Sequence, residues 1–157
     1  GELGGFWADN GGSIVVGGDV NGYQKIVNAS ISALQKAVGA VKSGVKIADI
    51  GGIIEKEAKK HHFSVIENLT GHGVGRSLHE EPLDLMNFRD PDDKRRFRKN
   101  SVIALETFIS ENSYEAIEQA DGWTMIGNEP GVFAQHEHTV LVTSEGPMIL
   151  TLMNGNW

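Results

Sequence analysis

The feature that most constrains this chain is Gly71-His72-Gly73-Val74-Gly75, followed closely by His79-Glu80-Glu81-Pro82. Two imidazoles seven residues apart in a glycine-rich run are not accounted for by packing, and they read as a metal or catalytic site. Glycines at 71, 73 and 75 remove side chains and let another group approach the backbone closely. Two carboxylates downstream point the same way. Glu106 lies in the apolar run Val102-Ile103-Ala104-Leu105-Glu106, and Glu137 in Phe133-Ala134-Gln135-His136-Glu137-His138-Thr139-Val140. A carboxylate in a strand-like run is costly to bury unless something positive neutralises it, and a divalent cation does so well. Neither neighbourhood offers an arginine, so metal ligation is favoured over pairing with a buried guanidinium.

Bulk properties narrow the function classes. A chain of 157 residues with 39% hydrophobic composition suits one domain, burying roughly 68–70% of the surface of its unfolded chain. Fourteen Lys and Arg against 21 Asp and Glu give a formal charge of −7, which argues against a nucleic-acid footprint. With no cysteine there is no disulfide, thiolate zinc site or cysteine nucleophile, and the composition fits a reducing cytoplasm. No apolar run approaches the ~20 residues of a membrane span, and Gly1-Glu2-Leu3-Gly4-Gly5 has no signal-peptide character, so the chain is expected to be soluble and cytoplasmic.

Periodicity places the elements. Ser13-Ile14-Val15-Val16-Gly17 is a β-rich segment bounded by glycines, which puts Asp9 in or beside a strand. From Tyr23, apolar residues at Ile26, Val27, Leu34, Val38 and Val41 mark one helix face, ended by Gly44. A second helix runs from Ile47 through Ile50, Ile53, Ile54 and Ala58 and closes in Lys59 and Lys60. Residues 63–66 form a short strand leading into the histidine loop, and Asn87–Asn100 is a solvated loop or short helix. Residues 102–109, 132–142 and 148–152 form strands, the last two joined by a hairpin turn at Glu145-Gly146. Two helices amid strands make an α+β domain.

Each candidate also has a plainer reading. A lone histidine is usually a hydrogen-bonded core residue, but the glycines around His72 favour a ligand. His79 does not share the i, i+4 face of a helical zinc motif with His72, so a hydrogen-bonding catalytic role is as good a reading as ligation. Asp9 in Asp-Asn-Gly-Gly also describes an ordinary turn, and only its companions raise it. The Asp90, Asp92 and Asp93 cluster lacks the glycine and the glutamate of an EF-hand loop and reads as surface. Trp123 is a core residue or an apolar pocket wall. His61 and His62 end a helix, while His136 and His138 flank Glu137 and should point to the opposite sheet face.

These residues resemble a known family. The run from Gly71 to Pro82, then Ala104-Leu105-Glu106, then residues 134–143, and then Gly146-Pro147-Met148-Ile149-Leu150-Thr151 occur in the order seen in type I methionine aminopeptidases of bacterial form. The agreement extends from Gly5-Phe6-Trp7-Ala8-Asp9 to Thr151. Aminopeptidase P and prolidase have a similar His-Glu-Xaa-Pro motif, but the Gln-Xaa-Glu-His-Thr block is more like the methionine enzymes.

The resemblance implies a pita-bread fold, with residues 1–157 the C-terminal part of one metallopeptidase domain. It also implies metal-dependent removal of the initiator methionine from nascent proteins. Asp9 and Glu137 would bridge two divalent metals (Mn, Fe, Co or Zn), and His72 and Glu106 would complete the first. Glu106 would also shuttle a proton, His79 would hydrogen-bond the scissile amide, and Trp123 would line the methionine pocket. Implied partners are a peptide or nascent-chain N-terminus near the ribosome, with no nucleic acid and no membrane; the parent would be a monomer. Two departures stand out. The family's Glu-Pro is Glu106-Thr107 here, and the family's fifth ligand, an aspartate, and its N-terminal half-domain fall ahead of Gly1. This chain alone is therefore expected to bind one metal well, to be peptidase-poor and to self-associate along an edge at residues 6–16. The rival readings are a pita-bread binding module without catalysis and a proline-specific peptidase of the same fold.

Overall fold

Two helically periodic stretches pack on one face of an antiparallel sheet built from the β-rich remainder. The computed structural model describes residues 1–152. In chain order the elements are β1 (Glu2–Leu3), β2 (Phe6–Trp7), α1 (Gln24–Ala40), α2 (Ile47–Lys60), β3 (Ser64–Val65), β4 (Gly71–Gly73), β5 (Glu80–Leu85), β6 (Val102–Ser110), β7 (Ala116–Glu118), β8 (Met125–Gly127), β9 (Phe133–Val142) and β10 (Pro147–Ile149).

The helices follow their apolar stripes. α1 buries Ile26, Val27, Ala33, Leu34, Ala37 and Val38, and α2 buries Ile47, Ile50, Ile54 and Ala58. Lys59 and Lys60 occupy the last turn of α2, where the carbonyl end of the helix favours cations. α2 lies flush against the segment that follows β5: a Cβ on Gly51 would stand 2.5 Å from the Met86 carbonyl oxygen.

The main sheet runs β10-β9-β6-β4-β5, with β3 beside β6, and every pairing is antiparallel. Its spine is the β6–β9 ladder, from Val102 opposite Leu141 to Ser110 opposite Phe133. The period of two divides this spine into two chemistries. Ile103, Leu105 and Ile109 with Ala134, Val140 and Val142 join the helices in the core. The other face carries Ala104 and Glu106 opposite Thr139 and Glu137, with Gln135 beside them.

Four local expectations are corrected. Residues 13–17 are not a strand; a single bridge joins Gly11 to Glu137, and Ile14 and Val16 are 82% and 87% exposed. Strand preference is a preference for pairing and packing, and beyond Ser13 this segment has no ladder and only Val15 packs against the core. The proposed edge at residues 6–16 is likewise only the short β2, paired with β1. α1 ends at Ala40, ahead of Gly44, because Val41 turns extended and is fully buried. The histidine "loop" is itself a strand, β4, paired on both sides. Its glycines permit this: a Cβ on Gly71 would lie 2.6 Å from the Ala104 carbonyl oxygen, and one on Gly73 would run into the carbonyls of Glu80 and Glu81.

Residues 87–100 are a loop, but not a wholly solvated one. Asn87 and Phe97 are buried, and the Asn87 amide spans the Leu69 carbonyl and the Phe108 N–H. The β7–β8 hairpin had no clear signal in the sequence. No helix among the described residues is long and apolar enough to cross a membrane.

Candidate metal centre

Three elements distant in sequence meet on the open face of the sheet. Asp9 follows β2, His72 is the middle of β4, and Glu137 lies on β9; each offers a ligand atom, and these atoms lie within 4.8 Å of one another. His72 and Glu137 are buried and Asp9 is half-buried. Glu106 stands directly across the ladder from Glu137, with its Oε1 3.7 Å from His72 Nε2. It belongs to the same pocket of charge but lies just outside the tightest trio.

The electrostatics are those of acids with no lysine or arginine beside them. Burial, followed by the charges of Glu137 and Asp9, pushes the Glu106 carboxyl up to about 8. Burial, followed by the charge of Asp9, pushes Glu137 up to about 7. Among the described residues, no Lys or Arg pairs with Asp9, Glu106 or Glu137. Burial also lowers the pKa of His72, favouring neutral imidazole, and its Nδ1–H donates to the Gly73 carbonyl at 2.9 Å. That bond leaves the Nε2 lone pair free to ligate.

The donor set fits a divalent cation. Glu137 Oε1 is the one buried side-chain N or O atom among the described residues that has no hydrogen-bond partner. Burying a carboxylate oxygen unsatisfied is expensive, whereas a metal at this point would satisfy it and remove the mutual repulsion of the acids. Imidazole with carboxylates is a set that first-row divalent ions accept.

Neighbouring residues hold these groups in place. Gln135 Nε2 donates to Glu137 Oε2 at 3.0 Å and to Glu106 Oε2 at 3.3 Å, spanning both acids. The Thr139 hydroxyl bonds the backbone of Asp9. Sequence reasoning had passed over both residues. The signal was present, since residues 135 and 139 share a strand face with residue 137.

The remaining candidates separate. His79 is exposed on the solvent side of His72, their ring centroids 4.1 Å apart and tilted by 58°. Trp123 sits at the β7–β8 turn, 88% exposed, with its backbone N–H donating to Asp121. His136 turns to the helix side and bonds Ser30 of α1, and His138 bonds Thr151. Asp90 and Asp93 serve local turns, with Asp93 paired to Arg95. Thr107, where the resembled family has proline, buries its hydroxyl against Ser30 Oγ at 2.8 Å and leaves Glu106 in register.

Comparison with known proteins identifies the family. The model of metallopeptidase family M24 matches residues 1–144. Methionine aminopeptidase 2 of Bacillus subtilis is 42% identical over 150 residues, covering 96% of this chain and 60% of the relative. The crystal structure of methionine aminopeptidase from Thermotoga maritima superposes with a TM-score of 0.89 at 31% identity, covering 96% of this chain and 60% of that one. Prolidase from Pyrococcus furiosus is more distant, with a TM-score of 0.72 at 25% identity and 39% of its chain covered. The chain thus spans about 60% of the length of the curated relatives it matches. A family match over residues 1–144, a span that includes Asp9, His72, Glu106 and Glu137, places this chain in metallopeptidase family M24, and its α+β architecture is the pita-bread fold.

Proposed function

We propose that this chain carries the metal centre of an aminopeptidase that hydrolyses the peptide bond after an N-terminal methionine, including the initiator methionine of nascent proteins in the cytoplasm. The observation that carries the reading is the gathering of Asp9, His72 and Glu137 around the unpartnered Glu137 Oε1. The substrate class comes from relatives named methionine aminopeptidase.

Asp9, His72, Glu106 and Glu137 would hold the divalent metal. One imidazole among carboxylates suits Mn, Fe or Co at least as well as Zn. When bound, the metal supplies Lewis acidity and positive charge for the developing oxyanion. Glu106, a buried carboxyl directly across the ladder from Glu137, relays a proton between the attacking and leaving groups. His79, exposed beside His72, donates a hydrogen bond to the scissile amide. Trp123 offers an apolar surface for the methionine side chain. The proposed partner is therefore a polypeptide N-terminus, met near the ribosome.

The test is hydrolysis of a Met-Ala-Ser peptide by the whole protein with Mn2+ added, alongside an Xaa-Pro peptide. Methionine release is expected. Cleavage of the Xaa-Pro peptide alone would move the protein to the prolidase-like branch, and absence of both hydrolysis and metal uptake would make it a binding module.

A further inference from the structure

Asp9 comes from a segment with almost no regular structure, yet it stands among ligands carried by two strands of the sheet. Residues 9–13 run antiparallel along the outer edge of β9, and only the middle of this contact is a backbone pair. There the Gly11 N–H donates to the Glu137 carbonyl at 3.4 Å, and the Glu137 N–H donates to the Gly11 carbonyl at 3.0 Å. At either side a hydroxyl replaces one strand's backbone. Thr139 Oγ1 accepts the Asp9 N–H at 2.8 Å and donates to the Asp9 carbonyl at 2.7 Å. Ser13 Oγ donates to the Gln135 carbonyl and accepts the Gln135 N–H, both at 2.9 Å.

The substitution has a cause and a geometric result. Thr139's own N–H is taken by Thr151 Oγ1 at 3.1 Å, and its carbonyl by the Leu150 N–H at 2.8 Å. Its backbone is spent on the chain beyond β10, so its side chain alone remains to hold Asp9. That side chain shares the face of Glu137, whereas at the other end the Ser13 N–H reaches His136 Nε2 on the helix face at 3.3 Å. The segment therefore crosses the edge of the sheet, from the metal face at Asp9, through the sheet plane at Gly11, to the helix face at Ser13. Thr139 is 1% exposed, and its one hydroxyl satisfies both backbone groups of Asp9.

We propose that Thr139 is a positioning residue of the metal centre: its hydroxyl takes the place of a ladder position and holds Asp9 up on the metal face beside His72 and Glu137. The proposal rests on the reading that these three residues ligate a metal. Residues that orient a metal ligand from behind typically change affinity by about 10–100-fold when removed, and Thr139→Val is expected to weaken Mn2+ binding within that range. Thr139→Ser, which keeps the hydroxyl, restores the affinity.

Two measurements decide it: calorimetric titration with Mn2+, and amide hydrogen exchange of the metal-free chain followed by NMR. In Thr139→Val the Asp9 amide loses its protection, while the Glu137 amide, bonded to Gly11, keeps it. If the unaltered chain binds no Mn2+, the metal reading falls, and the exchange of the Asp9 amide still tests the role of Thr139. An Asp9 amide that is unprotected in the unaltered chain overturns the proposal, as does Mn2+ binding by Thr139→Val equal to that of the parent. Equal loss in the Val and Ser variants also overturns it, since the hydroxyl would then be irrelevant. Should Thr139→Val fail to fold, Thr139→Ala is read in the same way.

Discussion

Two buried carboxylate sites in this chain have opposite characters. Glu57, 5% exposed on α2, accepts hydrogen bonds from Ser32 Oγ at 2.8 Å, from Lys36 Nζ and from His61 Nε2 at 3.1 Å, with Lys60 Nζ at 3.8 Å. Burial alone would raise its pKa, but the bonds from Lys36, Ser32 and His61 outweigh it and hold the carboxyl at about 2. Glu106 and Glu137 are nearly as buried, at 8% and 6%, and are pushed up to about 8 and about 7. Surface exposure is therefore not what separates them: burial is the largest cause at Glu106 and Glu137, where no lysine or arginine stands beside the acids, whereas at Glu57 it is outweighed by the bonds from Lys36, Ser32 and His61. An acid supplied with its own cations is structurally complete, whereas a pair of facing acids with only an amide between them is arranged for a charge from outside.

The comparison breaks most directly at Glu137. Glu137→Gln removes the orphaned oxygen's charge, and the expected loss of Mn2+ affinity exceeds about 100-fold, beyond the usual effect of a merely orienting neighbour. The same variant is expected to make the metal-free chain more stable at pH 8, because a neutral amide replaces a carboxyl whose ionisation burial disfavours. Calorimetry and thermal melting read the two effects, and unchanged Mn2+ affinity would sink the assignment. His79→Ala sharpens the contrast between holding metal and touching substrate. Turnover of Met-Ala-Ser by the whole protein should fall by about 100-fold with metal content retained. Loss of the metal in that variant would make His79 a ligand instead.

Glu57→Gln should behave in the opposite way to Glu137→Gln. It removes the carboxylate that Lys36, Lys60 and His61 share, and should destabilise the chain by about 1–3 kcal/mol in urea unfolding while leaving Mn2+ affinity unchanged. A stabilised Glu57→Gln would show that its cations do not offset burial. The smallest effect, and the one that sets both sites against each other, is the pH profile of metal-free stability. Glu57 has a depressed folded pKa, so its contribution is present above its ordinary value of 4.5 and is lost as pH falls towards about 2. Glu106 and Glu137 have raised folded pKa values, so their effect runs the other way: stability declines as pH rises from 4.5 through about 7 and about 8. Melting temperatures without metal should therefore fall on both sides of an optimum near 4.5, where the two windows meet, and Mn2+ should reverse only the alkaline decline. A metal-free profile that keeps rising to pH 8 contradicts the raised values.

Much of this was legible in advance, for reasons that differ between elements. α1, α2, β6 and β9 are long and strongly periodic, so their faces follow from spacing alone. Glu106 and Glu137 stood out because a charge in an apolar strand demands an explanation. Glu57 gave the same signal and went unnoticed, since it lies on the stripe of Ile50, Ile54 and Ala58 but its cations come partly from α1. β4 was read as a loop because three residues bounded by glycine carry no periodicity, and only the close approach of Ala104, Glu80 and Glu81 makes glycine suit a ladder there. Residues 14–16 had strand composition but form no ladder.

The sequence by itself determined which residues are apolar on which period, and so the two helices, the β6–β9 spine and the presence of acids without arginines close by in the chain. Its motifs also carried the family resemblance. Tertiary structure decided which of those groups meet. It brought Asp9, His72 and Glu137 to within 4.8 Å and left Trp123 at an exposed turn. It also gave Thr139 and Gln135 their holding roles. The physical reason is that periodicity fixes which face a side chain takes within its own element, whereas a centre built across strands depends on register. Only the completed ladder places residue 106 opposite residue 137 and residue 72 opposite residue 104.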